Sequence, residues 1–129
     1  MRRILLDTHA LLWFIARSGS SLGPEALALI IEPRNHVYVS VASTWEISIK
    51  RALGKLQAPA DMDAIVEDKS LSKLPFTLFH GDLAGALPAL HNDPFDRMLI
   101  AQAQVEGLEL MTSDHKMRQY KVRCINAAQ

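Results

Sequence analysis

The sequence predicts an α/β protein in which helices cover both faces of a central, mainly parallel sheet, giving three α/β/α layers. Short apolar segments rich in β-forming residues alternate with helical patterns along the chain, and this alternation is typical of parallel sheets. The 129 residues, 49% of them hydrophobic, suffice for one domain with one core over residues 1–129. No linker, repeat or low-complexity tract divides them.

Each element is predicted from its periodicity and its flanking residues. A strand at 3–7 precedes a helix that Thr8 is expected to cap, and Pro24 opens a second helix at 24–32. The elements that follow are a strand at 36–40, a helix at 43–56, a short helix at 61–70, a brief strand within 71–79 that Pro75 interrupts, a helix at 81–91, a long helix from Pro94 to Glu106, a strand at 108–114, one helical turn at 115–120 and a strand at 122–126.

Charge and cysteine content limit the possible classes of function. Lys plus Arg equal Asp plus Glu at 14 each, so no strong overall field attracts nucleic acid. Binding of a polyanion must then use a local basic patch or a bound cation. The single cysteine, Cys124, excludes an internal disulfide and a Cys-rich zinc site.

The N-terminal sequence is not expected to direct export. Two arginines precede an apolar run, as in a signal peptide, but Asp7 and His9 interrupt that run and no small-residue cleavage site follows. No segment is long enough to span a bilayer. We therefore expect a cytoplasmic protein with no membrane partner.

Four acidic residues are placed where they can meet at one edge of the sheet. Asp7 ends the first strand, Glu46 lies in the helix after the second, Asp96 enters the long helix and Asp114 follows the strand at 108–114. In parallel sheets, functional sites lie beyond the carboxyl ends of the strands. Four carboxylates at one edge would repel each other without a cation or a proton. Carboxylate oxygens suit Mg²⁺ or Mn²⁺, and the lack of a Cys or His cluster disfavours zinc.

Each acid also has a purely structural explanation. Asp93 before Pro94 is a good N-cap for the long helix, and Asp96 suits the helix dipole in its first turn. The other structural alternatives are a capping box of Ser43 with Glu46, an ion pair of Glu46 with Lys50, a cap of the first helix by Asp7 and a cap of the late helical turn by Asp114.

Four stretches resemble, in this order and spacing, the PIN-domain ribonucleases, specifically the VapC-like toxins of type II toxin–antitoxin modules. They are ILLDTHALLW, SVASTWEISIKRALGKL, HNDPFDRMLIAQA and LMTSD. The resemblance covers nearly the whole chain and implies a PIN-like fold. It places the acidic metal site of the family on Asp7, Glu46, Asp96 and Asp114, with Asp93 as an accessory acid or cap and Thr112 as a hydroxyl lining the site.

The resemblance also implies an activity and partners. We expect an endoribonuclease that hydrolyses RNA with a water activated by Mg²⁺ or Mn²⁺, a small antitoxin protein that covers the acidic site, and a homodimer. Among nearby cations, Arg97 and Lys116 are the expected phosphate contacts, whereas Lys50 and Arg118 are expected to be solvated. None of the three nearby histidines is expected to be a metal ligand: His9, His91 and His115.

Two other classes have a similar alternation of strands and helices. A receiver-like signalling domain would carry an acid pair after the first strand and a lysine at the end of a late strand, and this chain has neither. A haloacid dehalogenase-like phosphatase would need a second aspartate at the position of His9. A catalytically weak PIN-fold binding module is a further alternative, which the intact set of four acids disfavours.

Overall fold

Five strands form one sheet at the centre of the fold. The computed structural model describes residues 1–16 and 21–129, and within these ranges the strands are β1 (Arg3–Leu6), β2 (His36–Ser40), β3 (Ser72–Leu74), β4 (Glu109–Thr112) and β5 (Cys124–Asn126). Their order across the sheet is β3-β2-β1-β4-β5, and every neighbouring pair is parallel. The predicted parallel sheet is confirmed.

Helices follow most of the strands, as the alternation in the sequence predicts. In the described ranges they are α1 (Thr8–Ala16), α2 (Pro24–Ile31), α3 (Val41–Ala52), α4 (Met62–Asp68), α5 (Leu78–Ala86) and α6 (Pro94–Glu106), with a 3-10 turn at Met117–Gln119. The longest of them, α6, has 13 residues. No helix in the described parts of the chain combines the length and apolarity that a bilayer crossing requires.

The sheet separates two apolar cores. Ile4 and Leu6 of β1 belong to one core and Leu5 between them belongs to the other, because successive side chains of a strand point to opposite faces. Helices α1, α2 and α4 contribute to the first core, and α5 and α6 to the second. Each fully buried Leu or Ile stabilises the fold by about 1.5–3 kcal/mol relative to exposure. The three α/β/α layers are confirmed.

Helix α3 begins earlier than its sequence pattern indicates. The helix expected at 43–56 spans Val41–Ala52, and the Ser40 side chain caps it by accepting a hydrogen bond from the first turn. Ser43 therefore lies inside the helix, and the predicted capping box of Ser43 with Glu46 is wrong. Glu46 is left free to make other contacts.

The start of α5 and the end of α3 also differ from the sequence prediction. The helix expected at 81–91 is α5 at Leu78–Ala86, because Thr77 and His80 form a reciprocal cap in which each backbone N–H donates to the other side chain at 3.1 Å. A histidine in that role is not part of the usual capping box, which uses Glu or Gln. Helix α3 stops short of residue 56 because Gly54 adopts φ of +71°, a left-handed conformation that terminates helices.

Candidate metal centre

Asp7 lies at the carboxyl end of β1, in the middle of the sheet. Its backbone N–H donates to the Met111 carbonyl of β4 at 3.0 Å, and its Oδ1 accepts from the Ala10 N–H at 2.8 Å. Asp7 rather than Thr8 is thus the N-cap of α1, and the predicted cap at Thr8 is wrong. Only 3% of Asp7 is exposed, so its carboxylate is fixed by backbone contacts in a position shielded from water.

The electrostatic environment of Asp7 disfavours its charged form. Burial raises the pKa of its carboxyl above the ordinary value, and the negative charge of Asp114 adds to this increase. Hydrogen bonds from the Thr112 hydroxyl and the Ala10 N–H lower the pKa and partly offset the burial. Thr112 Oγ1 also lies 3.6 Å from Met117 Sδ, a weaker acceptor than a carboxylate. Thr112 is fully buried and interacts with Asp7, as expected of a residue that lines the site.

Glu46 projects from α3, and both of its carboxylate oxygens have partners. Thr8 Oγ1 donates to Oε1 at 2.7 Å, and the Lys50 ammonium donates to Oε2 at 2.6 Å. Ser43 Oγ lies 3.1 Å from the same Thr8 hydroxyl. The predicted i,i+4 ion pair of Glu46 with Lys50 is confirmed. The capping of α1 by Asp7 leaves the Thr8 side chain available for Glu46.

The first turn of α6 carries the two aspartates of the DPFD motif, which have different roles. Asp93 is the N-cap, since its Oδ1 accepts from the N–H groups of Phe95 at 2.8 Å and Asp96 at 3.1 Å. The predicted cap at Asp93 is confirmed. Because Asp93 satisfies the free N–H groups of this turn, the carboxylate of Asp96 is available for other contacts.

The carboxyl of Asp96 is strongly perturbed by its surroundings. Burial raises its pKa from the ordinary 3.8 to about 7, and the negative charges of Asp93, Glu46 and Asp7 contribute in the same direction. His91 opposes the shift. These contributions require Asp96 to lie within electrostatic range of the acids on α3 and at the end of β1. The convergence expected from the strand ends therefore holds in the tertiary structure.

Asp114 completes the group on the other side, in the loop after β4. Its Oδ1 accepts from the Lys116 N–H at 2.8 Å, and its Oδ2 faces the His91 ring. The 3-10 turn at Met117–Gln119 has Lys116 as its N-cap and no side-chain cap, so the alternative of a cap by Asp114 is wrong. Potential ligand atoms of His91, Asp96 and Asp114 all lie within 4.8 Å of one another, and in the described parts of the chain no other set of this kind is found. Sequence reasoning did not assign His91 a role; its position next to the DPFD motif was the available signal.

The two cations predicted to contact substrate have different surroundings. Arg97 donates at 2.8–3.3 Å to the backbone carbonyls of Gly85 in α5 and of Leu87, Pro88 and His91 in the α5–α6 loop. Its guanidinium thus holds the loop that carries His91, and a contact of Arg97 with substrate stays a prediction. Lys116 has an exposed side chain beside Asp114, where it is accessible to a phosphate.

The arrangement fits a divalent cation. Several carboxylates share one edge of the sheet. The pKa values of Asp7 and Asp96 are raised mainly by burial, and neighbouring negative charges add to the increase. Lys50 supplies one positive charge, which its pair with Glu46 holds at the edge of this group. Oxygen donors of this kind suit Mg²⁺ or Mn²⁺. In the described residues, the set whose ligand atoms lie within 4.8 Å of one another contains Asp96 and Asp114 but neither Asp7 nor Glu46, so a metal site shared by all four acids stays a prediction.

Comparisons with known proteins identify the family and the fold. The model of the PIN domain family matches residues 4–123. A chain of VapBC2 from Rickettsia felis bound to a promoter DNA fragment is 17% identical with a TM-score of 0.69, covering 96% of this chain and 98% of that one. A chain of DNA-bound VapBC from Salmonella typhimurium is 20% identical with a TM-score of 0.69, covering 97% and 98%. At these identities the solved structures establish a shared fold. No curated protein matches the chain.

Proposed function

Because the chain belongs to the PIN domain family, we propose that it is a Mg²⁺- or Mn²⁺-dependent endoribonuclease and the VapC-like toxin of a toxin–antitoxin pair. The observation that carries the proposal is the group of carboxylates at the ends of β1 and β4 and on α3 and α6, in which Asp96 has a pKa of about 7. Membership in this family removes the receiver-like and phosphatase alternatives. A PIN fold that binds without cleaving is an outcome of the tests below.

In the proposed reaction, one domain of residues 1–129 brings RNA and an activated water together. A metal ion at this site would supply an activated water and stabilise charge on the attacked phosphate. Asp7, Glu46, Asp96 and Asp114 would hold it, with Asp93 as an accessory acid that caps α6 and Thr112 as the hydroxyl that interacts with Asp7. Lys116 contacts the substrate phosphate backbone from its exposed position, and Arg97 is the second expected contact.

RNA cleavage should require added metal. A chain with equal numbers of acidic and basic residues has little overall attraction for RNA, and carboxylates without an ion have no means of activating water at neutral pH. Purified protein should release 5′ ends from RNA in Mg²⁺ or Mn²⁺, and EDTA should abolish this activity. Undiminished cleavage in EDTA would contradict the metal role. Metal binding without any cleavage would favour the binding module.

The proposed partners are a cognate antitoxin and a second copy of the chain. Apolar side chains remain exposed near the start of α5 and on α3: Leu78 is 92% exposed, Phe79 64% and Trp45 54%. Trp45 packs edge-on against Phe95 at 5.4 Å, directly beside the acids of α3 and α6. Exposed apolar surface of this kind is typical of protein contact sites. Such an antitoxin would lay an apolar segment on the toxin and cover the acidic edge.

Expression of the chain in a cytoplasm should stop growth, and co-expression of the antitoxin should restore it. The purified complex should cleave RNA less than the free toxin does, since the antitoxin covers the acids. A partner that binds and leaves cleavage intact would contradict the inhibitory role. Sedimentation of the free protein at micromolar concentration should show a dimer, and a strict monomer would remove that part of the proposal.

A further inference from the structure

His91 lies between two acids that belong to different elements. Its Nε2 is 2.9 Å from Asp96 Oδ2 at the start of α6 and 3.2 Å from Asp114 Oδ2 in the loop after β4. The His91 side chain is only 12% exposed. The imidazole therefore joins two carboxylates that would otherwise repel each other across the site.

The hydrogen bonds of the ring define which nitrogen carries the hydrogen. The backbone N–H of Asp93 points at His91 Nδ1 at 3.3 Å, so Nδ1 is an acceptor. Nε2 must then carry the hydrogen, which it donates to Asp114 Oδ2 at 3.2 Å, while Asp96 Oδ2 lies in contact with Nε2 at 2.9 Å. A histidine that binds a metal through Nε2 normally donates its Nδ1–H to an acceptor, but here Nδ1 faces a donor. The geometry favours a donor to Asp114 over a metal ligand.

The backbone around His91 is held from two sides. The N–H groups of Leu90 and His91 donate to the Tyr120 hydroxyl at 3.2 and 2.9 Å, and this hydroxyl donates to the Pro88 carbonyl at 2.7 Å. From α6, Arg97 donates to the Pro88 and His91 carbonyls at 3.0 and 3.2 Å. These contacts satisfy backbone groups of a loop that has no regular structure, and they hold the backbone position from which the imidazole extends.

We propose that His91 is a positioning residue that holds Asp96 and Asp114 at a fixed separation for the metal ion, by donating Nε2–H to Asp114 and lying in contact with Asp96. The inference rests on the proposed metal-dependent function. Without the imidazole, the two carboxylates can rotate apart and the ion must draw them together at a free-energy cost. Residues that hold ligands in this way typically change metal affinity by about 10–100-fold.

Three variants test the role. His91→Leu removes the donor and should weaken Mn²⁺ binding by about 10–100-fold. His91→Gln places an amide N–H near the position of Nε2 and should keep most of the affinity. His115→Leu is the matched control, since His115 is exposed next to Asp114 and should leave affinity unchanged. Titration calorimetry measures the affinities, and circular dichroism confirms that each variant is folded.

Two spectroscopic measurements on wild type do not depend on activity or on the variants folding. In the metal-free protein, ¹⁵N spectra should show His91 with hydrogen on Nε2 and none on Nδ1. With Mn²⁺ bound, pulsed electron paramagnetic resonance should show no directly coordinated nitrogen. A protonated Nδ1, a directly coordinated ¹⁴N that His91→Leu removes, or unchanged affinity in folded His91→Leu would each overturn the inference.

The outcomes also separate this inference from the proposed nuclease. Mn²⁺ binding that depends on His91, in a protein that does not cleave RNA, would refute the nuclease and keep the positioning role. If RNA cleavage and Mn²⁺ affinity are both unchanged in His91→Leu, the positioning role would be refuted and the nuclease would be kept. If the wild-type protein binds no Mn²⁺, the metal-dependent nuclease and the positioning role of His91 would both be refuted, whatever the ¹⁵N spectrum shows about the hydrogen bonds.

Discussion

Glu46→Gln and Asp96→Asn should each reduce metal-dependent RNA cleavage by more than about a hundredfold, since even residues that only orient ligands are worth about 10–100-fold. Both changes keep the shape of the side chain. In Glu46→Gln the amide oxygen can still accept from Thr8, whose hydroxyl donates to Oε1 of Glu46 at 2.7 Å, and the variant loses mainly the pair with the half-exposed Lys50. In Asp96→Asn the amide oxygen can still lie against the His91 ring, which contacts Asp96 at 2.9 Å. A large loss of activity would therefore report on charge and metal binding, and not on folding.

Asp93→Ala and Asp82→Asn are the controls for these variants. Asp93→Ala removes the two hydrogen bonds that cap α6 and should lower the free energy of unfolding by about 1 kcal/mol while keeping much of the cleavage. Asp82 is exposed on α5, and Asp82→Asn should change neither quantity. Initial cleavage rates and urea unfolding measure the two effects. Full metal-dependent cleavage by Glu46→Gln and Asp96→Asn would reduce both acids to structural roles.

Mn²⁺ should stabilise the folded protein strongly at pH 8 and weakly at pH 5. A ligand that binds only the folded state at 100 times its Kd adds about 2.7 kcal/mol, which corresponds to a rise in Tm of about 8 °C for a chain of this size. Asp96 has a folded-state pKa of about 7, raised by burial from 3.8. At pH 5 its carboxyl is protonated in the folded protein, and the ion must displace that proton.

The raised pKa of Asp96 also determines how the free energy of unfolding of the metal-free protein depends on pH. Between pH 4 and 7 the folded state retains a proton on Asp96 that the unfolded state has released. The free energy of unfolding must therefore fall as the pH rises through this window. Asp96→Asn should flatten the profile, make the metal-free protein at least as stable as wild type at pH 8 and reduce the effect of Mn²⁺. Melting curves at pH 5 and 8 that respond equally to Mn²⁺ would exclude Asp96 as a ligand.

Much of the fold was predictable because its signals are local. The strand at His36–Ser40 and the helix Pro94–Glu106 have the boundaries that their patterns predict, since periodicity and caps act within a few residues. The first residues of α3 and α5 were placed wrongly. In α5 the cap uses the His80 ring, which no usual capping pattern includes. In α3 the cap is Ser40, the last residue of β2, so the helix follows the strand without a loop.

In the candidate site, too, some features were predictable from the sequence and others were not. The positions of Asp7 and Asp114 just after strands predict that they share one edge, because the carboxyl ends of parallel strands lie side by side. The partners that come from distant parts of the chain were not predictable. Glu46 receives a hydrogen bond from a residue 38 positions away, and His91 meets an acid 23 positions away. The four carbonyls bound by Arg97 likewise depend on the path of a loop without periodic sequence.

By itself, the sequence determined the alternation of elements, the parallel sheet and the edge at which the acids gather, because hydrophobic periodicity and strand ends are properties of short segments. The pair of Glu46 with Lys50 is a local i,i+4 contact. Only the tertiary structure decided that Thr8 donates to the other oxygen of Glu46 and that His91 lies between Asp96 and Asp114. The physical reason is that hydrogen bonds require the donor and acceptor to be about 3 Å apart. The packing of α1, α3 and α6 around the sheet sets those distances, and no spacing along the chain encodes them.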